Sequence, residues 1–235
     1  MVLVPRIIFE DSDFLIIDKP AGLIVHSDGR TKEPSVADWI IERYPQLKDV
    51  GEPWLSPQGE TVLRPGLVQR LDRTTSGVMI VAKTTEMYTY LKREFKERSI
   101  DKQYRAYVYG HMETAEGRIV AEIMRSSPPP KKWYARVCEE SDMRAAITEW
   151  KVLDRGRDAG GAYSYLDVRP QTGRTHQIRV HMASIGHPIV SDHLYAPGHK
   201  QLLGFTRPAL HAYRISFTLL NREKATYVAP HHDFP

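Results

Sequence analysis

The segment Gln69-Arg70-Leu71-Asp72-Arg73-Thr74-Thr75-Ser76-Gly77 sets one carboxylate between two arginines and runs straight into the apolar residues Val78 to Ala82. Nearby positive charge favours an ionised carboxylate. An aspartate in that setting suits nucleophilic attack, or stabilisation of a cationic transition state, better than proton donation. Leu71 can anchor in a core while Arg70, Asp72 and Arg73 reach outward. The same residues also fit an ordinary turn, in which Asp and hydroxyl side chains satisfy backbone groups ahead of a strand.

A second segment, Pro170-Gln171-Thr172-Gly173-Arg174-Thr175-His176-Gln177-Ile178-Arg179-Val180-His181, enters a predicted helix through a glycine. Free N–H groups at a helix start, beside arginines, make a natural site for phosphate or carboxylate. Zinc is a poor fit, because His176 and His181 are five apart and miss the i, i+4 spacing of a helical zinc pair. On a helix Arg174 and Ile178 would share a face with His181, and a plain amphipathic helix explains that pattern equally. The third segment, Lys102-Gln103-Tyr104-Arg105-Ala106-Tyr107-Val108-Tyr109, alternates as a strand does. Tyr104 and Ala106 fall on one face, Arg105 and Tyr107 on the other. Aromatic residues interleaved with basic ones suit stacking on unpaired bases, although strands commonly carry tyrosine.

Positioning these segments needs a scaffold, and the sequence predicts one rich in strands. Arg6 to Glu10 and Phe14 to Asp18 read as strands parted by Asp11-Ser12-Asp13, and Pro20-Ala21-Gly22 turns the chain into Leu23 to His26. Ser35 is placed to cap a helix carrying Val36, Trp39, Ile40 and Tyr44 on one face. The segment from Gly51 to Pro65 reads as a surface loop. Val78 to Ala82 is a buried strand, followed by a helix from about Thr85 to Arg98 with Met87, Leu91 and Phe95 on one face. Gln103 to Tyr109, Gly117 to Met124, Tyr163 to Arg169 and Leu210 to Leu219 alternate as strands. Arg174 to Ile185 is predicted helical, with Gly186 as its stop. Strands follow one another without regular βαβ alternation, so the predicted class is α+β with a large, mainly antiparallel sheet.

Composition narrows the partners. The 235 residues carry 33 Lys and Arg against 29 Asp and Glu, a formal charge of +4, with 41% hydrophobic residues. That balance excludes a disordered chain. No apolar run approaches the roughly 18 residues of a membrane span, and nothing resembles a signal peptide. Cys138 is the only cysteine, which rules out an internal disulfide. A soluble, cytoplasmic protein is expected. From Arg125 to Arg136 the charged residues are Arg125, Lys131, Lys132 and Arg136, and from Val168 to Ser191 they are Arg169, Arg174 and Arg179, accompanied by histidines. Surfaces built from such stretches would attract a polyanion.

Taken together, the segments resemble the RluA family of pseudouridine synthases, which act on ribosomal RNA and transfer RNA. The resemblance runs from Phe14-Leu15-Ile16-Ile17-Asp18-Lys19-Pro20-Ala21-Gly22 through Arg70-Leu71-Asp72, Thr75-Ser76-Gly77 and Lys102-Gln103-Tyr104. It continues through Thr172-Gly173-Arg174-Thr175-His176-Gln177-Ile178-Arg179 to Gly186-His187-Pro188-Ile189 and Leu210-His211-Ala212. It implies the family fold, a mixed and mainly antiparallel sheet with flanking helices and a central RNA-binding cleft. It also implies the reaction, isomerisation of uridine in RNA to pseudouridine, with no cofactor and no metal. Asp72 matches the catalytic aspartate, Tyr104 the tyrosine that stacks on the target base, and Arg174 the arginine that pairs with the carboxylate. Ile178 would wall the pocket, and Arg70 matches a residue that fills the gap left by the flipped base. Arg73, Gln177 and Arg179, in the same motifs, are expected to contact the RNA. Flipping a base costs roughly a few kcal/mol, which an inserted arginine, a stacking tyrosine and basic surfaces would offset.

Two features depart from the family pattern. Many relatives read His-Arg-Leu-Asp where this chain has Gln69, which hydrogen-bonds but does not titrate near neutral pH. The pattern also begins near Arg6, so residues 1–235 are expected to form a single catalytic domain with no separate N-terminal RNA-binding domain. The stretch from 125 to 136, with Lys131 and Lys132 beside Pro128-Pro129-Pro130, is then the expected mobile loop that grips RNA. The expected partner is RNA alone, with no membrane and no protein partner, and the expected state a monomer. Two other readings compete: an RNA-binding protein or chaperone without catalysis, and a hydrolase. Binding alone does not require Asp72, Tyr104 and Arg174 together. A metal-dependent nuclease wants clustered carboxylates and a glycosidase wants two across the bond, whereas these segments supply only Asp72.

Overall fold

The structure is a computed structural model and describes residues 3–29, 33–57, 59–126 and 132–230. In chain order the elements open with β1 (Arg6–Glu10), β2 (Phe14–Lys19), α1 (Val36–Arg43), one 3₁₀ turn (Pro45–Leu47), β3 (Trp54–Leu55) and β4 (Thr61–Val62). Next come β5 (Ser76–Ala82), α2 (Thr85–Glu97), β6 (Asp101–Tyr109), β7 (Glu116–Arg125), β8 (Trp133–Val137) and β9 (Ala145–Asp158). The last are β10 (Gly161–Pro170), α3 (Gln177–Ser184), β11 (Leu210–Thr218) and β12 (Lys224–Val228). The chain divides into two compact units: the first runs up to Asp101 and resumes at Ala212, and the second is Lys102–His211.

In the first unit the strand order is β1-β2-β5-β11, with β12 added to β11. The β1–β2, β2–β5 and β11–β12 pairs are antiparallel. All seven residues of β5 are buried, which is why its sequence is an unbroken apolar run: a strand covered on both faces loses the usual alternation. Leu15, Ile16, Ile17, Met79 and Ile80 form the heart of this core, and Met87 and Leu91 of α2 are buried with them. Local signals set the helix ends. The Ser35 hydroxyl accepts from the Asp38 N–H at 3.2 Å while the Asp38 carboxylate accepts from the Ser35 N–H at 3.0 Å. Such a cap contributes about 1 kcal/mol. Thr84 caps α2 in the same way, accepting from the Met87 N–H at 3.1 Å.

One expectation for this unit fails. The segment from Gly51 to Pro65 is not only loop, since β3 and β4 pair as a short antiparallel ribbon, Trp54 opposite Val62. Beyond the Pro20-Ala21-Gly22 turn, Ile24 makes a single bridge to Ser35.

The second unit has the strand order β6-β10-β9-β7-β8 with every pair antiparallel. Its core gathers Ala106, Val108, Leu166, Val168, Ile178, Met182 and Ile189, with Tyr104 half-buried against them. Of the segment from 125 to 136, expected as a mobile loop, residue 125 and residues 133–136 lie in strands, while residues 127–131 lie outside the described residues. Arg125 ends β7 opposite Trp133 of β8, and the Ser126 N–H donates to the Lys132 carbonyl at 2.8 Å. Lys131 lies outside the described residues. The third helix is shorter than its apolar spacing suggested. His176 takes a left-handed conformation, φ 54°, so helical geometry starts only at Gln177 and Arg174 stands before the helix.

Within this unit His181 is fully buried, its Nδ1 2.9 Å from the Thr148 hydroxyl. Burial pushes its pKa down to about 4 from 6.5, partly offset by the Ala121 carbonyl. The neutral ring is therefore the folded form. Between those two pH values the unfolded chain binds a proton that the folded protein excludes. The resulting stability is complete above pH 6.5 and is lost as pH falls towards 4, by up to about 3 kcal/mol. His181→Asn should accordingly flatten the decline of Tm between those pH values; an unchanged acid limb would assign that limb to another group.

Candidate functional site

Asp72 stands in a turn closed by the Thr75 N–H donating to the Asp72 carbonyl at 3.1 Å. Leu71 is buried beside it, Asp72 is half-buried, and Arg70 and Arg73 are exposed, as the outward-and-inward pattern of the segment requires. The turn is fastened to the end of β2. The Arg73 carbonyl accepts from the Gly22 N–H at 2.7 Å and from Lys19 Nζ at 3.2 Å. Lys19 is wholly buried, and its ammonium also donates to the carbonyls of Pro20 at 2.9 Å and Leu23 at 2.8 Å. An ammonium has three N–H donors and no acceptor capacity, so three converging carbonyls satisfy it and tie the Asp72 turn to the Pro20-Ala21-Gly22 turn. Sequence reasoning did not single out Lys19. Its signal was a charged residue at the end of an otherwise apolar strand, directly before a proline turn.

Downstream of the turn, Gly77 sits at φ +118°, where a Cβ would lie 2.2 Å from the Ala212 carbonyl oxygen. At Gly77 β5 and β11 thus approach too closely for a side chain to fit. Arg73 pairs with Glu33, with Nη2 to Oε1 at 3.0 Å.

In the second unit Tyr104 lies on β6 opposite Val168 of β10. The strand residues around it are held by Asp167, which receives Gln103 Nε2 at 2.5 Å and pairs with Arg105 at 2.9 Å and Arg169 at 3.3 Å. The loop from Thr172 to Arg174 is organised by Gln177. The Gln177 side-chain oxygen accepts from the Thr172 hydroxyl at 2.6 Å and from the Arg174 N–H at 3.0 Å. Its Nε2 donates to the Ile147 carbonyl at 2.9 Å and the Thr148 hydroxyl at 3.0 Å. With Gln177 buried and so bonded, its visible work is to set the backbone that presents the exposed Arg174. Ile178 is buried in the core of this unit. Arg179 is also buried, bidentate on Asp192 at 2.6 and 2.9 Å, with its guanidinium 5.1 Å over the Tyr195 ring.

The two basic stretches are less bare than their sequences imply. Arg169 and Arg179 meet Asp167 and Asp192, acids just outside the 168 to 191 window, and Arg136 meets Glu122 on the neighbouring strand. Lys132 is half-buried beside the start of β8. Among the described residues no cluster of His, Cys, Asp or Glu is arranged to hold a metal ion, and no described helix is long and apolar enough to cross a membrane.

The family model for RNA pseudouridylate synthase matches residues 13–184, a span that takes in Asp72, Tyr104 and Arg174. The chain belongs to this family. Among curated relatives, ribosomal large subunit pseudouridine synthase D of Escherichia coli (strain K12) is 35% identical over 217 residues, covering 88% of this chain and 60% of that protein. An uncharacterized RNA pseudouridine synthase of Synechocystis sp. is 35% identical over 225 residues, covering 95% of this chain and 64% of that one. The chain thus spans less than two thirds of the length of these relatives. Among solved structures, human RNA Pseudouridylate Synthase Domain Containing 1 superposes with a TM-score of 0.73 at 25% identity, covering 97% of this chain and 83% of that one. Human RNA Pseudouridylate Synthase Domain Containing 4 shares the fold with a TM-score of 0.68 at 22% identity. The α+β pseudouridine synthase fold expected from the sequence is the one this family member has.

Proposed function

We propose that this protein isomerises uridines in RNA to pseudouridine, with Asp72, Tyr104 and Arg174 as its catalytic residues. The observation that carries the reading is the family match across residues 13–184, joined to an exposed-to-half-buried placement of all three side chains. The reaction breaks the bond from N1 of uracil to C1′ of ribose and forms one from C5 to C1′. The proton lost from C5 is balanced by one gained at N1, so the product is an isomer and the chemistry needs no oxidant, reductant or cofactor. Asp72 either attacks C1′ or removes the C2′ proton. Tyr104 stacks on the extruded base and Arg174 pairs with the Asp72 carboxylate and favours its charged form.

Arg70 fills the stack vacated by the flipped base, and Arg73 and Lys132 lie along the RNA. Gln177 and Arg179 support the site from behind, through Arg174's backbone and through Asp192. Ile178 walls the pocket from the core side. The substrate is ribosomal RNA, transfer RNA or both, and the enzyme acts as a cytoplasmic monomer.

Transcripts of both RNA classes, tritiated at uridine C5, test the reading. Tritium should appear in water in proportion to enzyme turnover, and the transcript that responds identifies the substrate class. RNA bound tightly with its tritium retained on every transcript would replace this reading with a binding protein.

A further inference from the structure

Some arginines of the first unit find acids: Arg6 reaches Asp18, Arg73 reaches Glu33 and Arg214 reaches Asp101. Arg64 and Arg70 do not. Neither guanidinium makes a hydrogen bond or ion pair with any described residue, yet they are close enough for the charge of Arg70 to lower the pKa of Arg64, with burial the larger cause. The Arg64 guanidinium lies over the Trp54 ring at 4.7 Å, and its Nε is enclosed with no acceptor. One face and one nitrogen are therefore taken, and the terminal nitrogens remain.

The backbone beneath Arg64 is fixed. The Leu67 N–H donates to the Arg64 carbonyl at 3.2 Å, and the Gly66 N–H to Val50 at 2.7 Å. Gly66 itself, at φ +62°, lies so close to β5 that a Cβ would stand 2.1 Å from the Ala82 carbonyl oxygen. A guanidinium stacked on an aromatic ring with further positive charge nearby and no acid partner is unfavourable alone and becomes favourable when an anion binds it.

His26 completes the group. Its Nδ1 is 2.8 Å from the Ser27 carbonyl, so that nitrogen donates and Nε2 of the neutral ring is an acceptor. Its pKa is lowered, chiefly by burial and further by Arg64 and Arg70, with the Ser27 carbonyl and, more weakly, Asp28 opposing them. No carboxylate acts on Arg64. Cations and a neutral acceptor match a phosphodiester and its ribose hydroxyl, which every RNA nucleotide carries together.

We propose that Arg64, beside Arg70, is a phosphate subsite for the RNA strand that carries the target uridine, with His26 accepting from a ribose hydroxyl of the same nucleotide. The inference rests on the RNA reading above and extends it. Arg64 and Arg70 precede Asp72 by eight and two residues, so the subsite belongs to the segment that leads into the catalytic turn. Trp54 holds the guanidinium flat so that little side-chain freedom is lost on binding.

The test is binding of a uridine-containing RNA stem-loop across a salt series, for wild type, Arg64→Gln and Arg64→Lys, each checked by thermal melting. Arg64→Gln should weaken binding about five- to tenfold and make the slope of log K against log salt shallower by roughly 0.7 to 0.9, the share of one phosphate contact. Arg64→Lys should keep the wild-type slope. A wild-type slope in folded Arg64→Gln overturns the proposal. Should both variants unfold, phenylglyoxal modification of the wild-type protein decides: saturating RNA protects Arg64, and an Arg64 modified equally with and without RNA overturns the subsite. Failure of the functional reading appears elsewhere, as wild-type protein that binds RNA but releases no tritium.

Discussion

Asp72→Asn is expected to lower the rate of tritium release by about 10⁴-fold or more, the scale seen when the group that makes or breaks the reacting bond is removed. RNA affinity should stay within about threefold, because phosphate contacts supply most of it. The substitution keeps the shape of the side chain but removes its charge, its nucleophilicity and its basicity together. The turn itself is held by backbone groups, the Thr75 N–H on the Asp72 carbonyl and Lys19 on the Arg73 carbonyl, so the variant should fold. Single-turnover measurements at saturating RNA separate the two quantities. A folded Asp72→Asn protein that retains a tenth of the wild-type rate would remove Asp72 from the chemistry. One that no longer binds RNA would make its role one of recognition.

Gly77→Ala should be among the most damaging single methyls in the first unit. Its Cβ would stand 2.2 Å from the oxygen, 2.7 Å from the carbon and 2.7 Å from the nitrogen of Ala212, all backbone atoms with no rotamer to yield. The residue would also be held at φ +118°, which side-chain-bearing residues rarely adopt. Relief requires β5 and β11 to part, at a cost of about 4 kcal/mol or more. In a chain of this size that lowers Tm by roughly 10 °C. Gly173→Ala is the natural comparison, because a Cβ there meets nothing within 4 Å; it should leave Tm nearly unchanged. Equal melting temperatures for the two variants would mean that the strands relax without loss and that the close approach is not structural.

Sequence periodicity located what depends on near neighbours. Ser35 and Asp38 cap α1 from three residues apart, Met87 and Leu91 bury one face of α2, and the apolar run in β5 becomes a fully buried strand. It missed β9, whose second half carries Asp154, Arg155, Arg157 and Asp158 and so shows no apolar alternation. It placed the start of α3 too early because a left-handed residue such as His176 has no side-chain signature. The candidate residues themselves were legible as motifs. What each side chain touches was not. Arg179 and Gln177 read as RNA contacts, yet their partners Asp192, Ile147 and Thr148 come from distant segments. Lys19 was hidden for the same reason: the Arg73 carbonyl it holds is far along the chain.

The division of the first unit into two stretches of sequence has a consequence for synthesis. As the chain leaves the ribosome, β1, β2 and β5 emerge early, but β11, the strand that lies against Gly77, follows only after the whole of Lys102–His211 has been made. At translation speeds of about 5–20 residues per second, the wait is on the order of ten seconds. Throughout it the nascent chain presents the bare edge of a strand that is buried along its whole length in the finished fold, the kind of edge that invites pairing with other chains. Shielding of that edge during synthesis would therefore bear on the yield of this protein independently of its final stability.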